Sequence, residues 1–582
     1  MLRGPISRAL VLAGACLLAI VPFFWWGSPS GHDFEFHIFS WMEVLGQWKH
    51  GVAYPRWAAL AHWGYGEARF LFYPPASWTL GGALGAVLPW KMVPGAYCWI
   101  VLTLAGAAMY RLAREWLPAP DALFAALFYA LNPYHLLIVY WRSAYAELLA
   151  ATLLPLLLLC LLRLFSRESE PSLRPTLWLS LILAAAWLTN APAAVMIHYS
   201  TAGLALIFIA FGAGRERSWN PEVWHPAIRT LVRTALAMLL GAGLASFYLL
   251  PAIYEQRWIN LSEVLSPGVR PQDNFIFTTI ADPDHNRFNL LVSTVALAEI
   301  GVLAFAIWFS RKKQRVGTAA PGCPIARSAN VLSADRGRWV LLSAWGAATA
   351  ILMLSVSNFF WQHLPKLRFV QHPFRWLLCM NVALAMLLPM AAKRWTTRLL
   401  TCALLLATLI LAGRRFQPPW WDMASDIRQM SNAIADGTGY EGSDEYVPAA
   451  DDAYELDKSL PLVVGGTGAL PRIQILVWGP AEKRFTVRAT APQNLTVRLF
   501  NYPAWAVVVN GKPTATQKTD VTGLIVIPIG AGDNDIHIHF RRTIDRLIGN
   551  VVSLISLVLL VVVWMRARRE AFRPANPEGS GV

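Results

Sequence analysis

Long apolar runs recur along almost the whole chain, and they restrict it to folds that a membrane accommodates. Each run is long enough to cross the hydrocarbon core of a bilayer as an α-helix. With 56% hydrophobic and only 15% charged residues among 582 positions, the chain is too apolar for an ordinary soluble protein. We predict an all-α polytopic membrane domain with twelve spans, near residues 8–27, 93–113, 121–139, 145–165, 175–190, 193–213, 231–251, 290–310, 339–356, 375–391, 397–413 and 546–565.

One further apolar stretch, residues 73–90, is a poor spanning helix. It opens Tyr73-Pro74-Pro75 and contains three glycines, which weaken a continuous helix. If it does not cross, the loops richest in Lys and Arg fall on the cytoplasmic side together with both termini. We therefore interpret 73–90 as a re-entrant or interfacial helix on the outer side. The basic residues in question are Arg111, Arg114, Arg163, Arg167, Arg174, Arg215, Arg217, Arg229, Arg311, Lys312, Lys313, Arg315, Lys393, Arg394, Arg398, Arg566, Arg568 and Arg569.

The same short loops account for much of the net charge of +15. The excess of basic residues therefore reports membrane topology, and no nucleic-acid partner is predicted. This topology brings four segments together on the outer face. They are the loop 28–92, the turn 141–147, the loop 252–289 and the loop 357–374.

The segment from Gly31 to His37 places two carboxylates and two imidazoles at the mouth of the first span. Ionisable residues at such a position are costly and need a reason. Asp33 either N-caps the helix that follows or is the acidic centre of an active site. On a helix, Asp33 and His37 face the same way while Glu35 points elsewhere, whereas an extended segment would align all three.

Beyond this motif, one helical face carries Ile38, Trp41 and Leu45, while Glu43 and Gln47 face away from it. This pattern is typical of a helix that lies in the membrane interface, with its polar side in water.

The region 414–545 predicts an extracytoplasmic domain that is β-rich from about residue 471. Apolar and polar residues alternate there with a period of two, and Asn510-Gly511 is a hairpin signal. A small antiparallel β-sandwich follows from this pattern. Tyr502 and Trp505 are either a sugar-binding platform or part of the sandwich core. Residues 546–582 then form the last transmembrane helix and a basic cytoplasmic tail.

The order of several motifs resembles that of the GT-C glycosyltransferases over roughly residues 1–400. These motifs are His32-Asp33 with His37 after the first span, the Tyr73-Pro74-Pro75 segment, and Glu147 at the outer end of a later span. Many GT-C enzymes have Asp where this chain has Glu147, so that match is by position.

A narrower resemblance covers nearly the whole chain. The sequences 371–376, 445–448 and 502–505, with Asn510-Gly511, are similar to those of bacterial YfhO-like membrane proteins, also described as pyruvoyl-tetrahydropterin synthase-related. It implies a multi-pass protein of the bacterial inner membrane.

The GT-C resemblance implies an enzyme that moves a sugar from a polyprenyl-phosphate donor to an envelope glycan, lipid or protein on the outer face. Asp33 and Glu147 are the expected catalytic residues, with Asp33 as general base. The alternative is a non-catalytic transport or assembly protein for polysaccharide or lipid carrier on the same scaffold. Acids clustered at outer helix ends favour the enzyme over a transporter, which needs a relay at the midplane.

Six further residues are expected to bind substrate, with the arginines clamping the leaving phosphate. A divalent cation, Mg²⁺ or Mn²⁺, held by Asp33, Glu35 and His37 could supply similar charge, and the alternative is catalysis without a metal. Arg142 could instead form only a local ion pair with Glu147, and Arg375 could be an interfacial snorkelling residue. The substrate-binding candidates are His37, Tyr73, Arg142, Arg368, His372 and Arg375.

Overall fold

The computed structural model describes residues 4–165, 173–213, 221–316, 325–449, 451–466 and 472–571. Arg167, Arg215 and Arg217, used above to predict topology, lie outside the described residues, as does the end of the predicted tail. The helices within the described ranges are α1 (Pro5–Ala19), α2 (Pro22–Trp26), α3 (Phe34–Lys49), α4 (Ala61–Gly64), α5 (Arg69–Phe72), α6 (Pro75–Val87), α7 (Val93–Ala113), α8 (Ala119–Ala130), α9 (Pro133–Leu137), α10 (Tyr145–Ala151), α11 (Leu153–Phe165), α12 (Arg174–Thr189), α13 (Ala191–Ala213), α14 (Pro221–Leu244), α15 (Ser246–Glu255), α16 (Pro283–Val316), α17 (Ile325–Leu352), α18 (Asn358–His363), α19 (Leu377–Ala391), α20 (Trp395–Phe416), α21 (Ala424–Ala435) and α22 (Ile544–Ala571).

Ten helical stretches among the described residues are long and apolar enough to cross a membrane, so the polytopic α-helical prediction is confirmed. An eleventh candidate bends by 93° between Arg336–Leu352 and Ser355–His363. The one remaining predicted span, 175–190, corresponds to α12, whose 16 residues make a helix of about 24 Å, short of the roughly 30 Å core. The ten stretches are Pro5–Trp26, Trp90–Ala113, Ala119–Arg142, Tyr145–Phe165, Ala191–Ala210, Ala227–Leu244, Pro283–Arg311, Pro373–Ala391, Trp395–Phe416 and Ile544–Arg568.

The helices differ in how much of their apolar surface the protein itself covers. In the apolar 18-residue stretch of Pro373–Ala391, 94% of the residues are buried, so this span lies inside the bundle, whereas only 11% are buried in the corresponding stretch of Ile544–Arg568. On that outer span Leu554, Ile555 and Val558 are exposed. Exposed apolar surface of this extent is expected where lipid covers it.

The stretch 73–90 is a short helix, as predicted. Helix α6 has 13 residues, about 20 Å, so it is too short to span the core. Its glycines serve packing, because a Cβ on Gly81 would lie 2.1 Å from the Trp41 indole and one on Gly82 would lie 3.2 Å from Trp48. Helices α3 and α6 therefore pack closely along their length.

The polar side of α3 corrects one prediction. Glu43 and Gln47 are buried, with exposed fractions of 2% and 4%. The Glu43 carboxylate accepts hydrogen bonds from the Tyr440 hydroxyl (2.7 Å) and the Leu60 amide (3.3 Å). Helix α3 is therefore covered on its polar side as well, because segments distant in sequence supply the partners that water was expected to supply.

The β-rich C-terminal region predicted from the alternating pattern is confirmed. Two antiparallel sheets have the strand orders β3-β6-β10-β9 and β4-β5-β11-β7-β8. Asn510 and Gly511, with φ of 50° and 78°, form the tight turn between β7 and β8. The strands within the described ranges are β1 (Ser28–Pro29), β2 (Trp421–Asp422), β3 (Val463–Gly465), β4 (Arg472–Trp478), β5 (Glu482–Ala489), β6 (Gln493–Phe500), β7 (Trp505–Val509), β8 (Lys512–Thr514), β9 (Gln517–Lys518), β10 (Leu524–Ile529) and β11 (Gly532–Phe540).

The core of this sandwich is completed by residues from the loop after α3. Trp57, Tyr65 and Leu71 are buried in the same apolar cluster as the inward side chains of the strands. Tyr502 and Trp505 also belong to this core and are 0% and 5% exposed. Of the two interpretations given above for these aromatics, the structure therefore supports the core role.

Candidate functional site

The segment that carries Asp33 is held against a sharp turn between two membrane helices. The Asp33 amide donates to the Arg142 carbonyl (2.9 Å), and the Gly31 amide donates to the Ser143 hydroxyl (3.0 Å). The Ser143 hydroxyl in turn donates to the Pro29 carbonyl (2.9 Å). Because Gly31 lacks a side chain, its backbone approaches this turn directly. A Cβ there would lie 2.5 Å from the Arg142 carbonyl carbon.

The turn itself follows from local sequence. The Asn132 side chain accepts a hydrogen bond from the His135 amide (2.9 Å) and Pro133 follows it, so α9 begins there. A π-helical turn covers Ile138–Arg142, and Ser143 then adopts a left-handed conformation with φ of 49°. This break lets the Arg142 and Glu147 side chains meet although they belong to different helices.

Asp33 occupies the N-cap position of α3, but its side chain makes no capping hydrogen bond. Its carboxylate accepts no hydrogen bond from any residue that the structure describes, and Asp33 is half-buried. The helix does place His37 one turn further, where the His37 amide donates to the Asp33 carbonyl (3.1 Å). The capping role does not account for this carboxylate.

Glu147 is the centre of a buried charge cluster. Its carboxylate accepts hydrogen bonds from the Arg142 guanidinium (2.5 Å), the Arg375 guanidinium (3.1 Å) and the Tyr134 hydroxyl (2.5 Å). Glu147 is 1% exposed and Arg142 is 3% exposed. The ion pair between Arg142 and Glu147 is therefore not an exposed local pair. It is buried, and Arg375 from a third segment also bonds to the Glu147 carboxylate.

Arg375 reaches Glu147 from a short 3₁₀ turn, Pro373–Trp376. Its guanidinium also donates to the Val370 carbonyl (2.7 Å) and the Gln371 side-chain oxygen (3.0 Å). These bonds fix its orientation and bury it, so the snorkelling interpretation is wrong.

Contacts join the four segments that the topology prediction groups. The Asp33 amide bond to Arg142 links the first two, and the Gln371 side-chain amide donates to the Val264 carbonyl (3.0 Å), linking the last two. Together with the Glu147–Arg375 bond, these contacts bring Asp33, Arg142, Glu147 and Arg375 together where the four segments meet.

His37 and Tyr73 lie beside Asp33 as neutral groups. The Tyr73 hydroxyl is 3.5 Å from His37 Nε2. Burial lowers the pKa of His37 to about 4, although Asp33 acts in the opposite direction. Burial and the Asp33 charge raise the pKa of Tyr73 well above its usual value. Both therefore offer hydrogen bonds without charge at neutral pH.

His372 lies next to the arginines. Its ring stacks on Phe374 with 5.0 Å between centroids, and its buried Nδ1 has no hydrogen-bond partner in the described structure. Burial and the charges of Arg375 and Arg142 lower its pKa well below the usual value. His372 is thus a neutral group with an unused polar atom at this site.

Two predicted site residues are not in this cluster. Arg368 is exposed, and its guanidinium lies over the Phe369 ring at 5.2 Å. Glu35 is also exposed, because two positions along a helix turn it away from Asp33, and its nearest charges are Asp422 and Glu441. The structure therefore does not bring Arg368 and Glu35 together with the other predicted site residues.

The suggested cation ligands do not converge. Asp33 and His37 share one side of α3, whereas Glu35 lies on another. Among the described residues, no group of three or more His, Cys, Asp or Glu side chains is arranged to hold a metal ion. The set Asp33, Glu35 and His37 therefore does not fit a divalent cation.

A polar chain that the sequence reasoning missed continues from the site into the bundle. The Glu299 carboxylate, 0% exposed, accepts hydrogen bonds from the Tyr134 amide (3.2 Å) and the Asn381 side chain (2.9 Å). The Asn381 side-chain amide also donates to Asn132 (3.1 Å). A single acid inside an apolar run was the only available signal for Glu299.

The site combines groups that can take a proton with groups that can stabilise an anion. Asp33 presents a carboxylate to which no described residue donates a hydrogen bond, while two guanidiniums share the one carboxylate of Glu147. The arginine pair thus retains excess positive charge in a region withdrawn from water, where it acts strongly on an incoming anion.

By sequence, the chain matches no protein family model and no curated protein. By structure, it is similar to several solved proteins at low identity. Arabinofuranosyltransferase AftD from Mycobacteria is 16% identical with a TM-score of 0.39, over 70% of this chain and 27% of that one. The oligosaccharyltransferase of Archaeoglobus fulgidus is 14% identical with a TM-score of 0.42, over 75% of this chain and 56% of that one.

ArnT from Cupriavidus metallidurans, solved with undecaprenyl phosphate, is 14% identical with a TM-score of 0.40, over 75% of this chain and 70% of that one. The chain thus spans about a quarter of AftD and about half of the oligosaccharyltransferase. The fold itself defines the class: a polytopic α-helical membrane protein with a β-rich C-terminal region.

Proposed function

We propose that the protein is a membrane glycosyltransferase of the GT-C type, transferring a sugar from a polyprenyl-phosphate donor to an envelope glycan, lipid or protein. The observation that carries the proposal is the half-buried Asp33 carboxylate, which accepts no hydrogen bond from the described residues and lies beside Arg142 of the Arg142–Glu147–Arg375 cluster. The motif order that resembles GT-C and YfhO-like proteins supports the same function.

In the proposed reaction an acceptor hydroxyl attacks the anomeric carbon of the donor sugar. Asp33 takes the hydroxyl proton as the new carbon–oxygen bond forms. The bond between the anomeric carbon and the phosphate oxygen breaks, and polyprenyl phosphate leaves with the electron pair. Arg142 and Arg375 stabilise the charge that develops on the phosphate.

The neutral groups around Asp33 have a supporting role in this proposal. Tyr73, His37 and His372 are neutral at neutral pH, so they can donate hydrogen bonds to sugar hydroxyls or accept hydrogen bonds from them without adding charge. Glu147, which the sequence predicts as a second catalytic residue, acts in this proposal as a positioning residue instead, because its carboxylate is bonded to both guanidiniums and holds them in place.

The test is complementation of a deletion strain, with envelope glycans as the readout. Asp33→Asn is expected to lose the product, since removing a general base lowers the rate about 10²- to 10⁴-fold. Glu35→Gln is the matched control: it removes the same charge two residues away on the same helix and should restore the product. Full restoration by Asp33→Asn at normal expression would contradict the proposal.

The second candidate is a non-catalytic transport or assembly protein for polysaccharide or lipid carrier. It is favoured by Glu299, a buried acid within the span Pro283–Arg311 and bonded to Asn381. For such a protein Glu299→Leu would abolish function whereas Asp33→Asn would not. The two variants measured together therefore distinguish the candidates.

A further inference from the structure

A large cavity lies at the opposite end of α3 from Asp33. It has a volume of about 860 Å³ and lies between the end of α3, the end of β11 and the first turn of α22. Gln47 lines it, and about 20 Å of helix separates Gln47 from Asp33 at 1.5 Å per residue. The cavity is therefore distinct from the candidate active site and within the usual size range of small-molecule sites.

Arginines dominate the charge of this cavity. Arg56, Arg541, Arg542 and Arg546 line it, and no carboxylate does so among the described lining residues. Arg546 is neutralised, since its guanidinium makes two 2.8 Å bonds to the Glu255 carboxylate.

The nearest carboxylates besides Glu255 include buried Asp545, whose Oδ2 has no hydrogen-bond partner in the described structure. Four guanidiniums outnumber these two carboxylates.

Arg56 is a lining residue whose hydrogen bonding is incomplete. Its Nη1 is buried and has no hydrogen-bond partner in the described part of the chain. Its guanidinium lies 4.3 Å above the Tyr54 ring, and the buried Tyr54 hydroxyl likewise has no hydrogen-bond partner among the described residues. Glu255 and Asp545 act on Arg56 through their charge but make no hydrogen bond to it in the described structure. Because a buried donor without a hydrogen-bond partner is costly, an anion bound here would supply the missing partner.

The cavity opens where the last membrane helix begins. Ile544 and Leu547 line it, are 77% and 61% exposed, and start the apolar span Ile544–Arg568. Arg541 and Arg542 are exposed just before this span. The N-terminus of a long helix adds partial positive charge. Basic residues at a membrane boundary bind anionic lipid headgroups.

We propose that this cavity binds the phosphate group of an anionic phospholipid. Arg56 and the pair Arg541 and Arg542 contact the phosphate through their guanidiniums, which match phosphate geometry well. The acyl chains extend from the cavity past Leu547 and Phe247, along the surface that faces lipid. The bound lipid would join the β-sandwich to the bundle at the membrane surface.

The test is native mass spectrometry of the full-length protein in nonionic detergent, titrated with phosphatidylglycerol. The double variant R541Q/R542Q is expected to weaken binding of the first lipid by about tenfold, and Arg56→Gln similarly, because charge-assisted bonds to phosphate are lost. Since Arg541 and Arg542 are exposed, the double variant should fold even if Arg56→Gln does not.

Arg488→Gln is the matched control. Arg488 is an exposed arginine at the far end of β5, about 23 Å from the cavity residue Ala481 at the rise of a β-strand. Its loss should leave the affinity for phosphatidylglycerol unchanged. Unchanged binding by R541Q/R542Q would overturn the proposal.

Two further ligands separate the possible sources of the phosphate. Diacylglycerol, which lacks phosphate, should bind much more weakly than phosphatidylglycerol. Inorganic phosphate alone should not displace phosphatidylglycerol at equal concentration. If diacylglycerol binds equally well, a phosphate site is excluded. If inorganic phosphate competes fully, the cavity serves a soluble phosphoryl ligand and the lipid assignment is wrong.

Discussion

At the scale of single residues, the two acids at the candidate site are held in opposite ways. Glu147 is buried and receives hydrogen bonds from Arg142, Arg375 and Tyr134. Asp33 is half-buried and receives none from the described residues. A carboxylate that is fully bonded organises its neighbours, whereas one that is unbonded is available to a substrate. We therefore expect their replacement to have different effects on stability.

Glu147→Ala should destabilise the protein by about 3–5 kcal/mol, because it leaves two buried guanidiniums without a counter-charge. Asp33→Ala should change stability by no more than about 0.5 kcal/mol, because no described contact is lost. Thermal unfolding of both purified variants in one detergent checks this. Equal shifts in the two melting temperatures would show that Asp33 also has a structural role.

At the scale of elements, the position of Asp33 depends on how the start of α3 meets the turn after α9. Gly31 makes this possible, since a Cβ there would lie 2.5 Å from the Trp141 carbonyl oxygen and from the Arg142 carbonyl carbon. Both are backbone atoms and cannot move independently of the turn. Gly46, within α3, has open space around its Cβ position.

Gly31→Ala should therefore displace the segment before α3, destabilise the protein by about 1–3 kcal/mol and reduce the proposed transfer activity. Gly46→Ala is the control and should stabilise α3 by about 0.5–1 kcal/mol, because glycine is a poor helix residue. Thermal unfolding and the envelope-glycan readout measure both effects. Normal activity and stability of Gly31→Ala would mean that the close approach is not required.

At the scale of the whole molecule, the bundle and the sandwich share buried surface. Trp57 and Tyr65, from the loop after α3, complete the sandwich core. The Tyr440 hydroxyl, ahead of the sandwich in the chain, donates to Glu43 in α3 (2.7 Å). The sandwich core therefore depends on residues far from it in sequence. We predict that the loop 28–92 and the strands fold as one unit.

Trp57→Ala tests this in the full chain. Losing a buried Trp costs about 3–5 kcal/mol, and we expect proteases to cleave the sandwich region faster. Tyr454→Ala is the control, because Tyr454 is an aromatic residue that is 81% exposed and its loss should be nearly neutral. Limited proteolysis followed by mass spectrometry locates the cleavage. Unchanged protection of the strands in Trp57→Ala would show that the sandwich folds independently.

The site could be predicted in part because its chemistry lies at helix ends. Asp33, Glu147, Arg142 and Arg375 are charged residues beside apolar runs, and that position is visible in a sequence. Arg368 has the same local signature, yet it is exposed in the structure. Local pattern therefore identifies charged residues near the membrane surface but does not distinguish those that meet across the fold from those that face water.

The length and spacing of the apolar runs already specify a polytopic helical bundle, and the alternating pattern near the C-terminus specifies the strands. Both depend on interactions between near neighbours, which periodicity reports directly. By contrast, the bond between Glu147 and Arg375 joins residues that are 228 positions apart. The bond between Glu43 and Tyr440 also joins residues that are far apart in sequence. These contacts depend on which distant segments pack together, and no local pattern encodes the partner of a buried charge.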